Sequence, residues 1–403
     1  MKHYIADYAA AADPVQAAIN AAASGDSIYF SALSNPFVAP AGGWRIEKSL
    51  ELFGDGQGPV IAPLASALHP LDSGSPIFDI IPPASNVYIH DLQLAGIDDG
   101  EIQPNGVAIR CRSSASNPAK SSNLILRNLQ IQGFAGYGVY LEGYVTTGAS
   151  PVESPIDGLT LCDCRIRDCR GAGVHLKDVY EAHIASTVFE NNKLQGLRVE
   201  SSRAAIYACT FEANCSDSLN PNDGNLMFID CPIARVDATR FLNFATVGTV
   251  KKALIVQGGA AIIGTCYFVA HPSSNGGQGI GIVASTKPGA AKPGPIVILG
   301  NRFRYTSTLI NIVSTAVDCT VLPQFSETTG GSITLPAALT GTLAAPHIIR
   351  PGNGSSITGL IIPSYSADPA KSTTDGMIAY NTTLNALRVR IDGQWKSVTT
   401  IPG

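Results

Sequence analysis

The segment from residue 123 to residue 303 repeats itself, and this repeat constrains the fold more than any other feature of the chain. One position in each repeat, called here the ladder position, carries a large apolar residue. With Leu94 upstream, the ladder residues are Leu94, Ile131, Ile166, Phe189, Phe211, Phe241, Phe268 and Phe303. Strand side chains alternate between two faces, so residues two positions earlier share the inward face. They are Leu92, Leu129, Cys164, Thr187, Cys209, Thr239, Cys266 and Asn301.

The spacing of the ladder indicates the type of repeat. The shortest intervals are 23 residues, from Ile166 to Phe189, and 22 residues, from Phe189 to Phe211. Such a unit holds a few short strands and turns, whereas a propeller blade of four antiparallel strands needs about 40 residues. The repeat therefore predicts an all-β fold, a single-stranded parallel β-helix whose successive coils stack in register.

Residues that favour turns recur two positions after the ladder. Gly, Asn and Asp tolerate a left-handed backbone conformation better than other residues do. We therefore expect turn formation, and not ligand binding, at these positions. They are Gly96, Gly133, Asp168, Asn191 and Asn243, with Ala213 as the exception.

The composition excludes several classes of function. Only 14% of the 403 residues are charged, and the formal charge is −4. Such a chain has no electrostatic attraction for nucleic acids or anionic membranes, and no apolar run reaches the roughly 18 residues of a membrane span. We expect no nucleic-acid partner and no membrane insertion. An odd number of cysteines, nine, and no apolar run after Lys2 predict folding in a reducing cytosol without a signal peptide.

The N-terminal segment resembles the cap of a known superfamily. Asp13 is the expected N-cap of a short helix, Pro14 suits its first turn and Gly25 is expected to end it. A strand follows at Ser27–Phe30, and a later apolar strand leads into Gly54-Asp55-Gly56. This order resembles the N-terminal helical cap of the pectate-lyase-like superfamily of right-handed parallel β-helices. The resemblance implies a right-handed solenoid that handles polysaccharide along one lateral face.

The C-terminal segment, residues 375–398, predicts a small β-meander of three strands joined by an Asn-Thr-Thr turn and an Asp-Gly turn. Its order of Gly, Tyr-Asn, a Thr-rich turn, Leu-Arg-Val and Gly-x-Trp resembles the C-terminal segment of bacteriophage tail fibres and tailspikes. In that family such segments end homotrimeric fibres. Because an isolated meander is marginally stable in water and would expose Tyr380 and Trp395, we expect a homotrimer. Packing of the meander onto its own β-helix is the alternative.

These patterns divide the chain into four parts. We predict an N-terminal cap with a short helix at 1–45, the parallel β-helix at 46–316, a linker with small β-structures at 317–370 and the C-terminal β-meander, the expected trimerisation segment, at 371–403. Insertions of varied length interrupt the coils. In a solenoid, insertions gather at particular corners and border a lateral groove.

One outward column suits glycoside hydrolysis. Arg167, Glu190 and Glu212 lie one residue past the ladder on successive coils. Neighbouring strands lie about 4.8 Å apart, close to the separation of about 5 to 5.5 Å between the carboxyl groups of a retaining glycosidase. We predict Glu190 and Glu212 as the acid and nucleophile, with Arg167 orienting one of them. The alternative is an exposed charge ladder, which contributes little.

A second outward column, Tyr140, His175 and Arg198, lies on the following strand of each coil. Glu142, Lys177 and Glu200 lie beside it. Aromatic, imidazole and guanidinium groups stack on sugars and bind them through hydrogen bonds, and a Lys or Arg base near a carboxylate suits a uronate lyase. A solvated mixed-charge ladder is again the alternative. The predicted substrate-binding residues are Tyr140, His175, Arg198, Lys177 and Glu200.

The sequence predicts neither a metal nor a cofactor. It lacks the Gly-His-Gly motif with paired aspartates of polygalacturonases, and no set of aspartates matches the calcium site of pectate lyases. Asp98, Asp99 and Glu101 could hold Ca²⁺, since hard cations prefer clustered carboxylate oxygens, but we expect this acidic insertion to be solvated. Cys162 and Cys164 have no second Cys or His pair at zinc-finger spacing.

The two resemblances together predict a phage tailspike-like or tail-fibre-like virion protein that binds a bacterial surface polysaccharide; whether it also depolymerises the polysaccharide is left open. We expect folding in the host cytoplasm, a homotrimer in the phage tail with other tail proteins, and extracellular action in host adhesion. Tailspikes usually carry a head-binding domain, and none is evident before Asp13, so attachment would need another route. A free monomeric lyase or glycoside hydrolase, and a non-catalytic adhesive virion component, stay open as alternatives.

Overall fold

The computed structural model describes most of the chain up to residue 312 and shorter pieces beyond it. The described residues are 1–31, 37–55, 68–114, 116–145, 153–154, 156–216, 223–242, 252–270, 277–283, 294–306, 308–312, 319–322, 324–326, 332–334, 347–349, 359–361, 364–365, 378–381, 386–391 and 394–397. Within them, almost every regular element is a β-strand. The predicted all-β class is confirmed.

Each complete coil contains three strands that pair in parallel with those of the next coil, so the solenoid has three faces. The first face consists of Lys2–Tyr4, Asp26–Phe30, Leu50–Gly54, Val87–His90, Ser121–Arg127, Ile156–Cys162, Ala182–Ala185, Arg203–Tyr207, Ile296–Leu299 and Cys319–Val321. The second face consists of Gln93–Ala95, Gln130–Gln132, Arg165–Arg167, Val188–Glu190, Thr210–Glu212, Arg240–Leu242, Tyr267–Val269, Arg302–Arg304, Phe325–Ser326 and His347–Ile349.

The third face completes the coil. Its strands are Trp44–Ile46, Phe78–Ile80, Ile109–Arg112, Val139–Glu142, Val174–Lys177, Leu197–Glu200, Gln278–Val283, Thr308–Ile312 and Ser332–Thr334. Two long strands, Gly224–Asp237 and Lys252–Gly264, run along the third face and continue into the first. The described chain therefore forms the predicted parallel β-helix.

The ladder residues stack in the core as predicted. Phe189, Phe211, Phe241, Phe268 and Phe303 are fully buried, and consecutive ring centroids lie 4.7, 5.2, 4.7 and 4.8 Å apart with nearly parallel planes. Burial of each Phe side chain contributes about 1.5 to 3 kcal/mol, and each stacked pair adds about 0.5 to 1.5 kcal/mol. This stack fixes the register of the outward side chains on the second face.

The turns confirm part of the prediction and correct the rest. Backbone φ is positive two residues after the ladder at Gly133, Asp168, Asn191 and Ala213, whereas Asn243 lies outside the described residues. Gly96 is not left-handed; glycine is needed there because a Cβ atom would lie 2.5 Å from the carbonyl oxygen of Gly133. A second left-handed column, three residues before the ladder, was not predicted. It contains Asp91, Asn128, Asp163, Ser186, Ala208, Ala238, Thr265 and Gly300.

The N-terminal helix covers Pro14–Ala21, and a 3-10 helix precedes it at Ile5–Tyr8. Asp13 is the N-cap as predicted, since its Oδ1 atom accepts a hydrogen bond of 3.0 Å from the backbone N–H of Gln16. The prediction that Gly25 ends the helix is wrong, because the helix ends at Ala21. Gly25 adopts a φ of 89° in the turn that follows.

The strands of the C-terminal meander, Ile378–Asn381, Ala386–Ile391 and Gln394–Ser397, pair antiparallel as predicted. Two further antiparallel pairs join Tyr144–Val145 to Glu153–Ser154 and His347–Ile349 to Gly359–Ile361, and Ser364–Tyr365 pairs parallel to the meander. The side chain of Trp395 lies outside the described part of the structure. Coil strands occur before residue 46 and after residue 316, and the predicted domain boundaries stay predictions.

Candidate functional site

The third face carries a cluster of aromatic and charged side chains, which we call the third-face cluster. Strand alternation creates it: Val139 and Leu141 face the core, so Tyr140 and Glu142 point outward. The register then aligns Tyr140 with His175 and Arg198, and Glu142 with Lys177 and Glu200. The cluster comprises Arg112, Tyr137, Tyr140, Glu142, His175, Lys177, Arg198 and Glu200.

Three rings form the centre of the cluster. The ring of Tyr137 stacks on that of Tyr140 at 5.2 Å, and the His175 ring lies 5.4 Å from Tyr137 and 5.3 Å from Tyr140. Burial raises the pKa of Tyr137, and burial together with the hydrogen bond to Glu142 raises the pKa of Tyr140. Both phenols are therefore neutral at physiological pH, and Tyr140 donates a hydrogen bond to Glu142.

Glu142 connects three strands of the third face. Its carboxylate accepts hydrogen bonds from Tyr140 Oη at 2.8 Å and Lys177 Nζ at 2.6 Å, and it forms an ion pair with Arg112 Nε at 2.7 Å. Burial alone would raise the pKa of Glu142, but the bonds from Lys177 and Tyr140 outweigh it and lower the pKa. Glu142 is thus an ionised, immobilised group and unsuited to act as a general acid.

Glu200 anchors the other end of the cluster. Its Oε1 atom accepts hydrogen bonds from His175 Nε2, at 3.1 Å, and from Arg198 Nε. Burial raises the pKa of Glu200, but the bond from His175 and the charge of Arg198 prevail and lower it to about 2. The Nδ1 atom of His175 is buried and has no hydrogen-bond partner among the described residues. With Nε2 bound to Glu200 and Nδ1 buried, the imidazole is held in place for ring contacts with Tyr137 and Tyr140.

The cluster has defined edges along the third face. Towards the N-terminus, Arg110 lies in register with Tyr140 and forms a two-bond ion pair with Asp79, at 2.8 and 2.9 Å. Towards the C-terminus, the two columns continue with Met227 and Ile229, which are buried. Sequence reasoning did not foresee this change from polar to apolar side chains.

The second-face column is in register, because Arg167 lies opposite Glu190 and Glu190 lies opposite Glu212. The contacts differ from those predicted. Glu190 Oε2 binds Arg165, at 2.6 Å from Nη2 and 3.1 Å from Nε. Arg167 instead donates to Gln132 Oε1, at 2.7 and 3.0 Å. The catalytic roles of Glu190, Glu212 and Arg167 stay predictions, as do the substrate-binding roles on the third face.

Sequence reasoning missed a third column, on the first face near the N-terminus. Tyr4, Tyr29, Phe53 and His90 occupy one outward column of four successive strands, with centroids 5.6, 5.4 and 5.3 Å apart. These strands precede the ladder, so no repeat revealed their register. The available signal was the alternation of aromatic and apolar residues within strands such as Val87–His90.

Next to this column lies an open depression of about 470 Å³, called here the first-face depression. It is lined by Tyr88, His90, Asp91, Arg127, Asn128 and Asp163. The acidic insertion does not line this depression. Asp98 forms an ion pair with Arg170, and Asp99 accepts a hydrogen bond from Ser73. Within the described residues, no group of three His, Cys, Asp or Glu side chains could hold a metal ion, and no helix could span a membrane.

Comparison with known proteins identifies the family. Residues 84–214 and 120–322 match the family model described as the right handed beta helix region. The two matches together cover more than half of the chain, so the chain belongs to this right-handed β-helix family. The predicted hand of the solenoid is thereby confirmed. No curated protein matches the chain.

Solved structures share the fold at low sequence identity. ORF18 of Geobacillus virus E2 is 14% identical, with 99% of this chain and 86% of that chain covered and a TM-score of 0.54. The A-module of the mannuronan C-5 epimerase AlgE6 from Azotobacter vinelandii is 14% identical, with 87% and 98% covered and a TM-score of 0.53. Tailspike protein 3 of bacteriophage CBA120 is 12% identical, with 98% and 68% covered. The TM-score of that comparison is 0.39.

Proposed function

We propose that this chain is a phage tailspike-like or tail-fibre-like virion protein that binds a bacterial surface polysaccharide through the third-face cluster. One observation carries the binding proposal: three mutually packed rings are held between two fixed, ionised carboxylates, Glu142 and Glu200, which lie two coils apart. Aromatic faces and fixed polar groups are the two components of sugar recognition. Here the register of the β-helix supplies both without movement of the backbone.

The cations at the edge of the cluster retain donors for a ligand. The side chains of Arg112, Lys177 and Arg198 are 55%, 40% and 34% exposed. A guanidinium has five N–H donors and an ammonium has three, more than the bonds to Glu142 and Glu200 use. Such donors suit the hydroxyl and carboxylate oxygens of a glycan chain that lies across the strands.

The binding experiment compares two tyrosines on different faces. Purified chain is titrated with capsular polysaccharide and lipopolysaccharide from candidate hosts, and the Tyr140→Ala variant is expected to lower the affinity by about tenfold or more. Tyr267 is a matched control, since it is an outward tyrosine on the second face with the Arg302 guanidinium 5.4 Å from its ring centroid. Equal affinities of wild type and Tyr140→Ala, with Tyr267→Ala equal to both, would overturn the assignment to the third face.

The virion part of the proposal rests on the C-terminal meander pattern and on the fold shared with ORF18 of Geobacillus virus E2. All nine cysteines are free thiols in the structure, which suits folding in the reducing host cytoplasm. We infer a homotrimer, so sedimentation should give about three times the chain mass of 42.0 kDa. A monomer would favour the alternative of a free polysaccharide lyase or glycoside hydrolase.

A second candidate function is depolymerisation of the same polysaccharide on the second face. The observation that favours it is the register of Glu190 with Glu212 on neighbouring strands, which are about 4.8 Å apart. Appearance of new reducing ends on incubation with the polysaccharide, and its loss in Glu190→Gln and Glu212→Gln, would support hydrolysis by this pair. Unsaturated uronate products would indicate a lyase instead, and the absence of any product would leave adhesion as the function.

A further inference from the structure

We propose that the first-face depression is a second glycan-binding site, separate from the third-face cluster, and that it takes uncharged sugar units. The residues that carry this inference are Tyr88, His90, Arg127 and Asp163. They lie on the first face, which the proposed function does not use.

The platform of this site is the ring of Tyr88, which the ring of His90 supports from behind. The imidazole lies 4.1 Å from Tyr88 and 5.3 Å from Phe53, and it stacks on both rings. Its two nitrogens are also engaged, Nδ1 with Asp91 at 2.6 Å and Nε2 with Glu51 at 3.2 Å. Contacts on both faces and at both nitrogens fix the ring, so binding of a sugar would require little further ordering of side chains.

The depression, and not the N-terminal end of the aromatic column, provides the open ring surface. The ammonium of Lys2 lies over the rings of Tyr4, Tyr29 and Phe53, at 5.0, 4.3 and 4.8 Å from their centroids. A cation already occupies that part of the column. Tyr88, one strand further along the solenoid, lines the depression.

The size and rim of the depression suit a short oligosaccharide. Its volume of about 470 Å³ falls within the range of about 300 to 1,000 Å³ that is typical of small-ligand sites. At the rim, the side chains of Arg127 and Asp163 are 58% and 48% exposed and lie 3.4 Å apart. Arg127 is also hydrogen-bonded to the Tyr88 hydroxyl, and an exposed ion pair contributes little to stability, so Arg127 and Asp163 are placed beside the Tyr88 ring to meet vicinal sugar hydroxyls.

The charges around the depression select against uronic acids. Asp91 and Asp163 line it and Glu51 lies behind His90, whereas Arg127 is the nearby cation. Burial raises the pKa of Asp91, but the hydrogen bonds from Asn128 and His90 outweigh it and lower the pKa. Ionised carboxylates would repel a uronate and accept hydrogen bonds from the hydroxyl groups of a neutral sugar.

The test is an array of neutral gluco-, galacto- and manno-oligosaccharides together with oligogalacturonate and oligomannuronate, probed with the full chain. We expect binding to a neutral oligosaccharide that weakens about tenfold or more in Tyr88→Ala and in Arg127→Ala. Tyr207 provides a matched control, because it is 59% exposed on the same first face, two strands beyond Ile156–Cys162, and does not line the depression. Tyr207→Ala should bind like the wild type.

The proposal would be overturned if no neutral oligosaccharide is bound, or if wild type and Arg127→Ala bind it equally. It would also be overturned if neutral binding is lost in Tyr140→Ala and kept in Tyr88→Ala, because that result assigns the ligand to the third face. Arg127→Ala decides the matter if Tyr88→Ala does not fold, because Arg127 is largely exposed and its removal leaves the core unchanged. Failure of the third-face proposal would leave the Tyr88 and Arg127 results unchanged.

Discussion

The second and third faces both place charged side chains in register, yet they use the register differently. On the third face, Glu142 binds side chains from three strands. On the second face, Glu190 takes a diagonal partner, because Arg165 lies opposite Val188 and reaches across to the carboxylate. A parallel register thus determines which residues are neighbours, but it does not determine which neighbour a long side chain selects.

The difference follows from how each face excludes water. The side chains of Glu142 and Glu200 are 12% and 14% exposed beside the packed rings of Tyr137 and Tyr140. On the second face, the carboxylate of Glu190 is 20% exposed. Because charged hydrogen bonds are stronger away from water, the third face holds its carboxylates more firmly than the second, although the cations are exposed on both.

The largest effect is expected from a substitution in the stacked phenylalanine core, which supports both faces. Phe211→Ala deletes the ring between Phe189 and Phe241 and should lower the free energy of unfolding by about 3 to 5 kcal/mol, measured by urea titration. Thr210→Ala, an outward neighbour on the same strand, should stay within about 0.5 kcal/mol. Equal effects of the two substitutions would contradict the stacked core.

The next largest effect on stability is expected from a substitution on the third face. Glu200→Gln keeps the shape of the side chain but removes the charge that His175 and Arg198 bind, so we expect a loss of about 2 kcal/mol in unfolding free energy. The same urea titration measures it. A loss below about 0.5 kcal/mol would show that the third-face network is no stronger than an ordinary surface ion pair.

The dependence on pH follows from the same carboxylate. The folded pKa of Glu200 is about 2, below its ordinary value of 4.5, so its contribution to stability is present above pH 4.5 and is lost as the pH falls towards 2. Across this window the stability of the wild type should decline more steeply than that of Glu200→Gln. Thermal unfolding midpoints between pH 5 and pH 3 test this, and parallel curves would count against it.

The smallest effect is expected on the second face. Glu190→Gln should cost less than about 1 kcal/mol, because partly exposed ion pairs contribute little and salt screens them. Urea titrations at low and high salt should show the difference between Glu190→Gln and wild type shrinking as salt rises. A loss equal to that of Glu200→Gln would remove the contrast between the faces.

The repeat in the sequence predicted the parallel solenoid, the inward ladder and the register of both outward columns, because apolar spacing reports directly on which side chains enter the core. It also placed Tyr140, His175 and Arg198 next to each other. The repeat did not predict which neighbouring side chain each charged residue binds within a face. The pairing of Glu190 with Arg165 depends on rotamers of long side chains, which register leaves undetermined.

Other features were missed for different physical reasons. Ser186, Ala208 and Thr265 adopt left-handed turns, although these residue types do not ordinarily favour that conformation, so no turn signal marked them. Tyr88 and His90 lie on the strand that precedes Leu94, the first ladder residue, so the ladder spacing gave no register between their strand and the earlier ones. In both cases tertiary packing determines the structure, and the local sequence preference does not predict it.

The most direct test of the central claim is a crystal structure of the chain with a fragment of the host polysaccharide. We predict glycan density on the third face, in contact with Tyr137, Tyr140 and Lys177. Density along Glu190 and Glu212 on the second face, with the third-face cluster unoccupied, would contradict it.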